Sequence, residues 1–288
     1  MKNIKTILPA SARSHWVGDG FNVRPIFANL AFTQAISPFL MFDYAAPREF
    51  DATEEKRGVG AHPHRGFETV TLAFQGEIEH GDSVGNRGVI GPADVQWMTA
   101  ASGIIHEEFL SRDFLKQGGM LEMVQLWVNL PARYKMIAPK YQPILGQNIP
   151  VIQLPDHGGA VRVIAGNFAG TQGAASTYSP VNLWDIKLNA GKSVELTVPA
   201  GHNTMLFVRQ GKLALGSAVM GAADLALLER DGTRIRLQAQ EDTSLLLMGG
   251  EPLDEPIVAS GPFVMNTEQE IRVAMMDYQS GRMGKMAG

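Results

Sequence analysis

The chain has 288 residues, enough for one large or two medium domains with a sizeable buried core. A formal net charge of -4, with 25 Lys and Arg against 29 Asp and Glu and no basic run, argues against direct nucleic-acid binding. There are no cysteines, so disulfides, thiolate nucleophiles and sulfur ligands are excluded, and His, Asp and Glu are left as metal-ligand types.

The opening residues Met1-Lys2-Asn3-Ile4-Lys5-Thr6-Ile7-Leu8-Pro9 carry basic groups with no long apolar run behind them. No segment reaches the ~20 apolar residues of a membrane helix. A soluble cytoplasmic protein without membrane association is expected. Short apolar runs punctuated by 31 Gly and 16 Pro give the texture of an all-β chain with many short strands.

In chain order, an early strand and loop run through Val23 to Ile26, and a strand covers Phe39 to Tyr44 before a polar loop from Pro47 to Gly58. Phe67 to Phe74 is the clearest strand; Gln75-Gly76 turns it and Glu77 to Gly81 returns. Asp82 to Gly88 is rich in turn formers and reads as a solvated hairpin turn. A tight turn at Gly91 to Asp94 precedes Val95 to Met98, a strand holds His106 and Glu108, and Glu122 to Leu130 alternates up to Pro131. From Ala132 to Pro155 alternation fades among four prolines, which reads as a connector.

A second β-rich run follows, with strands over Val161 to Ala165, Val181 to Leu188, Val194 to Val198, Met205 to Val208, Lys212 to Leu215, Asp224 to Leu228, Arg234 to Leu237 and Thr243 to Met248. The two halves look like copies of one barrel plan. Near the end, Thr267 and Glu270 make a capping box, and Ile271, Ala274, Met275 and Tyr278 recur at helical spacing. One amphipathic helix docked on a barrel is predicted, stopped at Gly281 and followed by a loose tail from Arg282 to Gly288.

The chemistry concentrates in Ala61-His62-Pro63-His64-Arg65-Gly66-Phe67-Glu68 and again in Gly103-Ile104-Ile105-His106-Glu107-Glu108. Strand side chains alternate, so His62 and His64 share a face, and the same parity carried onward places Glu68, Val70, Leu72 and Phe74 with them. The rule also groups Ile104, His106 and Glu108 and puts Glu107 on the opposite side. Brought together, the two strands offer three imidazoles and a carboxylate, a mixed set suited to Fe, Mn, Ni, Cu or Zn. A lone His is ordinarily a surface or satisfied core residue; two in-phase pairs in strand contexts raise these above that. His15, His80 and His157 have no in-phase partner and read as structural. His202, in Pro199-Ala200-Gly201-His202-Asn203, reads as a turn residue.

The segment His62-Pro63-His64-Arg65-Gly66-Phe67-Glu68-Thr69-Val70 resembles the pirin family, two-barrel proteins of the cupin superfamily. Asp94-Val95-Gln96-Trp97-Met98-Thr99-Ala100, Gly103-Ile104-Ile105-His106, Gln125-Leu126-Trp127-Val128-Asn129-Leu130-Pro131 and Gly261-Pro262-Phe263-Val264-Met265-Asn266-Thr267 resemble it too, so the likeness spans nearly the whole chain. It implies an all-β fold of two jelly-roll-like cupin barrels packed face to face with a C-terminal helix. The domains would be a metal-binding barrel over 1–134, a connector over 135–160, and a metal-free barrel with the helix over 161–288. By the same resemblance the metal ligands are His62, His64, His106 and Glu108. Glu68 stands where cupins usually take a carboxylate ligand and becomes an outer-shell or acid/base candidate.

Such a site leaves coordination positions open, the mark of a catalytic metal. Val70, Leu72 and Phe74 are expected to line a dry cavity beneath it. The resemblance implies one divalent transition metal per chain, iron by preference, with Ni, Mn, Cu or Zn permitted by the ligands. It implies a dioxygenase like quercetin 2,3-dioxygenase, acting on a small phenolic substrate and dioxygen, with Glu108 or Glu68 as general base. The alternative it carries is an iron-binding, redox-sensing regulator of a transcription factor or metabolic enzyme. A monomer is expected.

Overall fold

Residues 1–28 and 30–286 are described by the computed structural model, and strands dominate throughout. The strands up to the middle of the chain are β1 (Ile4–Leu8), β2 (His15–Val17), β3 (Phe21–Phe27), β4 (Phe39–Phe50), β5 (Gly58–His64) and β6 (Phe67–Gln75). They continue as β7 (Ile78–Asp82), β8 (Arg87–Ile90), β9 (Val95–Thr99), β10 (Ile104–Leu110), β11 (Gly119–Asn129) and β12 (Lys140–Ile144). Among the described residues three α-helices punctuate them: α1 (Leu30–Ala35), α2 (Arg112–Gln117) and α3 (Glu268–Gln279).

The chain divides into two units, Arg13–Gly146 with Leu253–Gly288, and Gln147–Pro252 with Met1–Ala12. In the first, a seven-stranded sheet runs in spatial order β12-β9-β6-β11-β4-β3-β2 and a four-stranded sheet runs β5-β10-β7-β8. Phe21, Val23, Ala45, Ala73, Ile78, Ile90 and Leu110, drawn from both sheets, form one buried cluster that closes them into a barrel. β6 is central, between β9 and β11, and buried on both faces, as its aromatic and β-branched sequence suits. Between β5 and β6 the chain passes from one sheet to the other at Gly66, whose φ is 90°. A Cβ at Gly66 would collide with the Val264 carbonyl, so only glycine fits this corner.

The second unit repeats the plan. Its seven-stranded sheet runs Ile4–Leu8, Leu225–Leu228, Asn203–Gln210, Thr243–Gly250, Val181–Leu188, Gly159–Ala165 and Val151–Leu154 in space. Its four-stranded sheet runs Ser193–Thr197, Arg234–Ala239, Leu213–Leu215 and Ala218–Met220. Trp184, Phe168, Leu206, Leu237 and Leu247 belong to a cluster of apolar side chains that fills it.

The observed units differ from the boundaries 1–134, 135–160 and 161–288 at three places. β1 pairs antiparallel with Leu225–Leu228, so the first strand joins the later unit. Phe263–Met265 and α3 join the earlier one: Arg65 bridges to Phe263, and its guanidinium lies 2.8 Å from Asp277 of α3. The proline-rich connector also contains two strands. β12 pairs with β9 as an edge strand, where Pro143 is tolerated because no further strand needs its missing N–H. Val151–Leu154 pairs with Gly159–Ala165.

The helix begins at the expected cap, with both hydrogen bonds of the box between Thr267 and Glu270 formed. Its buried stripe is narrower than its spacing suggested: Ile271 and Ala274 are buried with Phe263, Met265 and Met283, while Met275 and Tyr278 are exposed. The segment after Gly281 is no loose tail, since Met283 is buried and its carbonyl accepts from Ser83 Oγ at 2.8 Å. The last two residues of that expected tail lie outside the described residues. Among the described residues no helix is long and apolar enough to cross a membrane.

Candidate metal centre

β5 and β10 are antiparallel neighbours, with His106 opposite His62 and Ile104 opposite His64. The register shifts between His106 and Glu108, so Glu108 faces Val59 rather than Gly60. The ring centroids of His62 and His106 are 4.3 Å apart, those of His62 and His64 4.8 Å, and those of His64 and His106 4.9 Å. Their nearest ligand nitrogens lie within 4.8 Å of one another, and the same limit gathers His80, His106 and Glu108.

Burial, and then the neighbouring His62, push the His64 imidazole down to about 3, against a backbone bond to Pro262 that raises it. Burial and the surrounding His64, His62 and His80 push His106 the same way. Both are therefore neutral at physiological pH, the form that binds metal. His62 Nδ1 donates to Gly60 O at 2.8 Å, which leaves the Nε2 lone pair for a metal. Both ring nitrogens of His106 are buried without a hydrogen-bond partner among the described residues. A buried imidazole with nothing to bond is costly unless its lone pair is taken. The residues present fit a transition metal on this count.

Glu108 is held on both carboxylate oxygens. Gln125 Nε2 donates to Oε2 at 2.8 Å; Gln96 Nε2 and, at 3.4 Å, Thr71 Oγ1 donate to Oε1. Glu107 faces the other way, 3.9 Å from both Lys56 and Arg87.

Glu68 and the residues after it are not where the sequence parity put them. The turn at Gly66 breaks the alternation, because β5 and β6 belong to different sheets. On β6 it is Phe67 and Thr71 that meet the centre: Phe67 packs 5.1 Å from the His64 ring, and Thr71 reaches Glu108. Glu68, Val70 and Leu72 point to the opposite, also buried, face. Glu68 accepts from Thr99 Oγ1 at 2.7 Å, and burial raises its carboxyl to about 7 against that bond. The surface beneath Glu108 is thus polar, built from Thr71, Gln96 and Gln125 in place of the expected Val70, Leu72 and Phe74.

His80, read from sequence as structural, sits at this centre. It lies opposite Glu108 in register, with its ring 5.5 Å from that of His106 and stacked at 4.5 Å on Tyr141. Its Nε2 pairs with Asp82 Oδ2 at 3.1 Å, while its Nδ1 is buried without a partner among the described residues. Asp82 also caps the turn after it by accepting from the Val84 and Asn86 amides. The His80-Gly81-Asp82 spacing was the signal available, but it could be placed only once β7 was known to pair with β10.

Beside the centre lies a pocket of about 40 Å³, lined by His62, Glu108, Gln125, Asp43 and Met123. Val17, Phe21, Val23 and Val59 complete its apolar wall.

Two cupin-type barrels, one carrying a cluster of histidines and glutamate, define the class. The Pirin family matches residues 20–128 and the Pirin C-terminal cupin domain residues 183–284; the chain belongs to the pirin family. It is 54% identical over 272 residues to a Pseudomonas aeruginosa protein named "Putative quercetin 2,3-dioxygenase", covering 94% of this chain and 95% of that one. It superposes on the crystal structure of a quercetin 2,3-dioxygenase from Acinetobacter baumannii with a TM-score of 0.96, at 49% identity and 99% coverage of both chains. A bacterial pirin from Escherichia coli, in complex with nickel(II), shares the fold with a TM-score of 0.66 at 20% identity, covering 86% of this chain and 99% of that one.

Proposed function

We propose that the chain is a metal-dependent dioxygenase acting on flavonol-like phenols, with His62, His64, His106 and Glu108 as the metal ligands. The observation that carries this reading is the trio of imidazoles, His62 half-buried and His64 and His106 buried, with both ring nitrogens of His106 unpartnered among the described residues. The names of the Pseudomonas and Acinetobacter relatives support it. Iron(II) is the metal assigned, while the ligand chemistry also admits Ni, Mn, Cu or Zn. When bound, the metal supplies a Lewis-acid centre for a phenolic oxygen and open positions for substrate and dioxygen.

The chain's own residues do the rest. Gly60 O orients the His62 ring, and Gln96, Gln125 and Thr71 fix the Glu108 carboxylate. Phe67 and Trp127, at 5.1 and 5.2 Å from the His64 ring, shut water out on that side. Oxygen uptake by protein loaded anaerobically with Fe²⁺, on adding quercetin, tests the proposal. Consumption in wild type that is lost in His62→Ala is expected.

The second reading is the iron-binding regulator, and the pocket favours it. At about 40 Å³ it is far below the several hundred Å³ that enclose a drug-sized ligand. A flavonol enters only if the lining side chains turn, whereas a redox-sensing protein needs no turnover. Absence of uptake with every metal above, in protein that still holds its metal, would select this reading.

A further inference from the structure

Both carboxyls that the sequence offered as proton acceptors are engaged elsewhere. Glu108 receives donors on both oxygens and is itself a proposed ligand. Glu68 accepts from Thr99 on the opposite face of β6. A third carboxyl reaches the pocket. Asp43, on β4, stands directly opposite Gln125 of β11 and lines the pocket together with His62 and Glu108. The wall beside it is apolar, with Phe21, Val23 and Met123. Among the described residues no hydrogen bond engages its carboxyl, although His15 of β2 lies within electrostatic reach. The titratable groups that share its surroundings are His15 from β2, His62 from β5 and Glu108 from β10.

We propose that Asp43 is the general base of this site: its carboxylate takes the proton of a phenolic hydroxyl inserted between it and the side lined by His62 and Glu108. The assignment rests on the dioxygenase reading. In the step, the phenol O–H bond breaks, a new O–H bond forms on a carboxylate oxygen of Asp43, and the electron pair stays on the phenolic oxygen. Charge moves from Asp43 to substrate and nothing is oxidised. At about 40 Å³ the pocket has room for a hydroxyl group or a water beside Asp43. Burial, opposed by His15, raises the carboxyl to about 6. That is nearer neutrality than an exposed aspartate, and a base works best close to the operating pH. Asp43 has no motif in the sequence, being one carboxylate in an apolar strand; its meaning comes from the register with Gln125.

The test uses full-length protein loaded with Ni²⁺, mixed anaerobically with quercetin at neutral pH in a stopped-flow instrument. Tryptophan quenching reports binding, and the long-wavelength band of the ionised flavonol reports proton loss. Asp43→Asn is expected to bind quercetin as wild type does and to form the ionised band about 100-fold more slowly, with Asp43→Glu recovering part of the rate. Wild-type binding and an unchanged ionisation rate in Asp43→Asn would overturn the assignment and leave the dioxygenase reading standing. Loss of quercetin binding in Asp43→Asn, with metal content retained, would overturn it in favour of a positioning role. Failure of the wild type itself to bind quercetin would overturn both.

Discussion

Glu108 owes its orientation to its neighbours as much as to its strand. Gln125 and Gln96 hold its two oxygens, and Thr71 braces the arrangement by accepting from both amides. Gln125→Leu is expected to weaken metal binding about 10- to 100-fold in a chelator competition, because an outer-shell donor is lost while the ligands remain. Glu68 gives a pH signature of opposite kind to a salt-bridged carboxylate. Its folded value of about 7 stands above its ordinary 4.5, so the folded state holds the proton more tightly than the unfolded one. Stability therefore falls as pH rises through that window. Glu68→Gln should remove this dependence, and its melting advantage over wild type should grow between pH 4.5 and about 7. The choice of Glu108 over Glu107 as the carboxylate on the histidine side was legible, because alternation holds within β10 despite the shift in its pairing. The side of Glu68 was not, because the alternation was carried across Gly66 into a different sheet.

The corner that carries His64 is pinned by elements distant in sequence. Lys135, buried, donates to Gly66 O and Asn129 Oδ1 at 2.6 Å and to Val264 O at 2.9 Å. Arg65, its side chain only 4% exposed, pairs with Asp277 of α3 at 2.8 Å and donates to Ser102 O at 2.7 Å. Asp277→Ala leaves that guanidinium without its carboxylate and is expected to cost about 3 kcal/mol in urea unfolding. Thr267→Ala, which removes only the cap of α3, should cost about 1 kcal/mol. The cap was readable from Thr267 and Glu270 because its partners lie three residues apart. The docking of α3 was not, since nothing in its own pattern names Arg65 as its partner. The same limit hid the strand β12, whose pairing with β9 overrides the prolines around it.

At the scale of the molecule, the alternating apolar runs gave away two barrels of similar plan, and most strands fall near their expected places. The exchange of ends between the units lay beyond such a reading. Pairing of β1 with Leu225–Leu228 joins segments more than two hundred residues apart, and local periodicity carries no information about partners. Metal bound only by the folded state must raise its stability by mass action, about 4 kcal/mol at a thousandfold excess over Kd. The most direct measurement is therefore the metal content, by elemental analysis, of wild type, His106→Ala and Glu107→Ala after anaerobic loading with Fe²⁺ and removal of the excess. One metal per chain in wild type and Glu107→Ala, with loss in a still-folded His106→Ala, is the expected result. Full retention by His106→Ala, or loss from Glu107→Ala, would contradict a metal centre built on these histidines and Glu108.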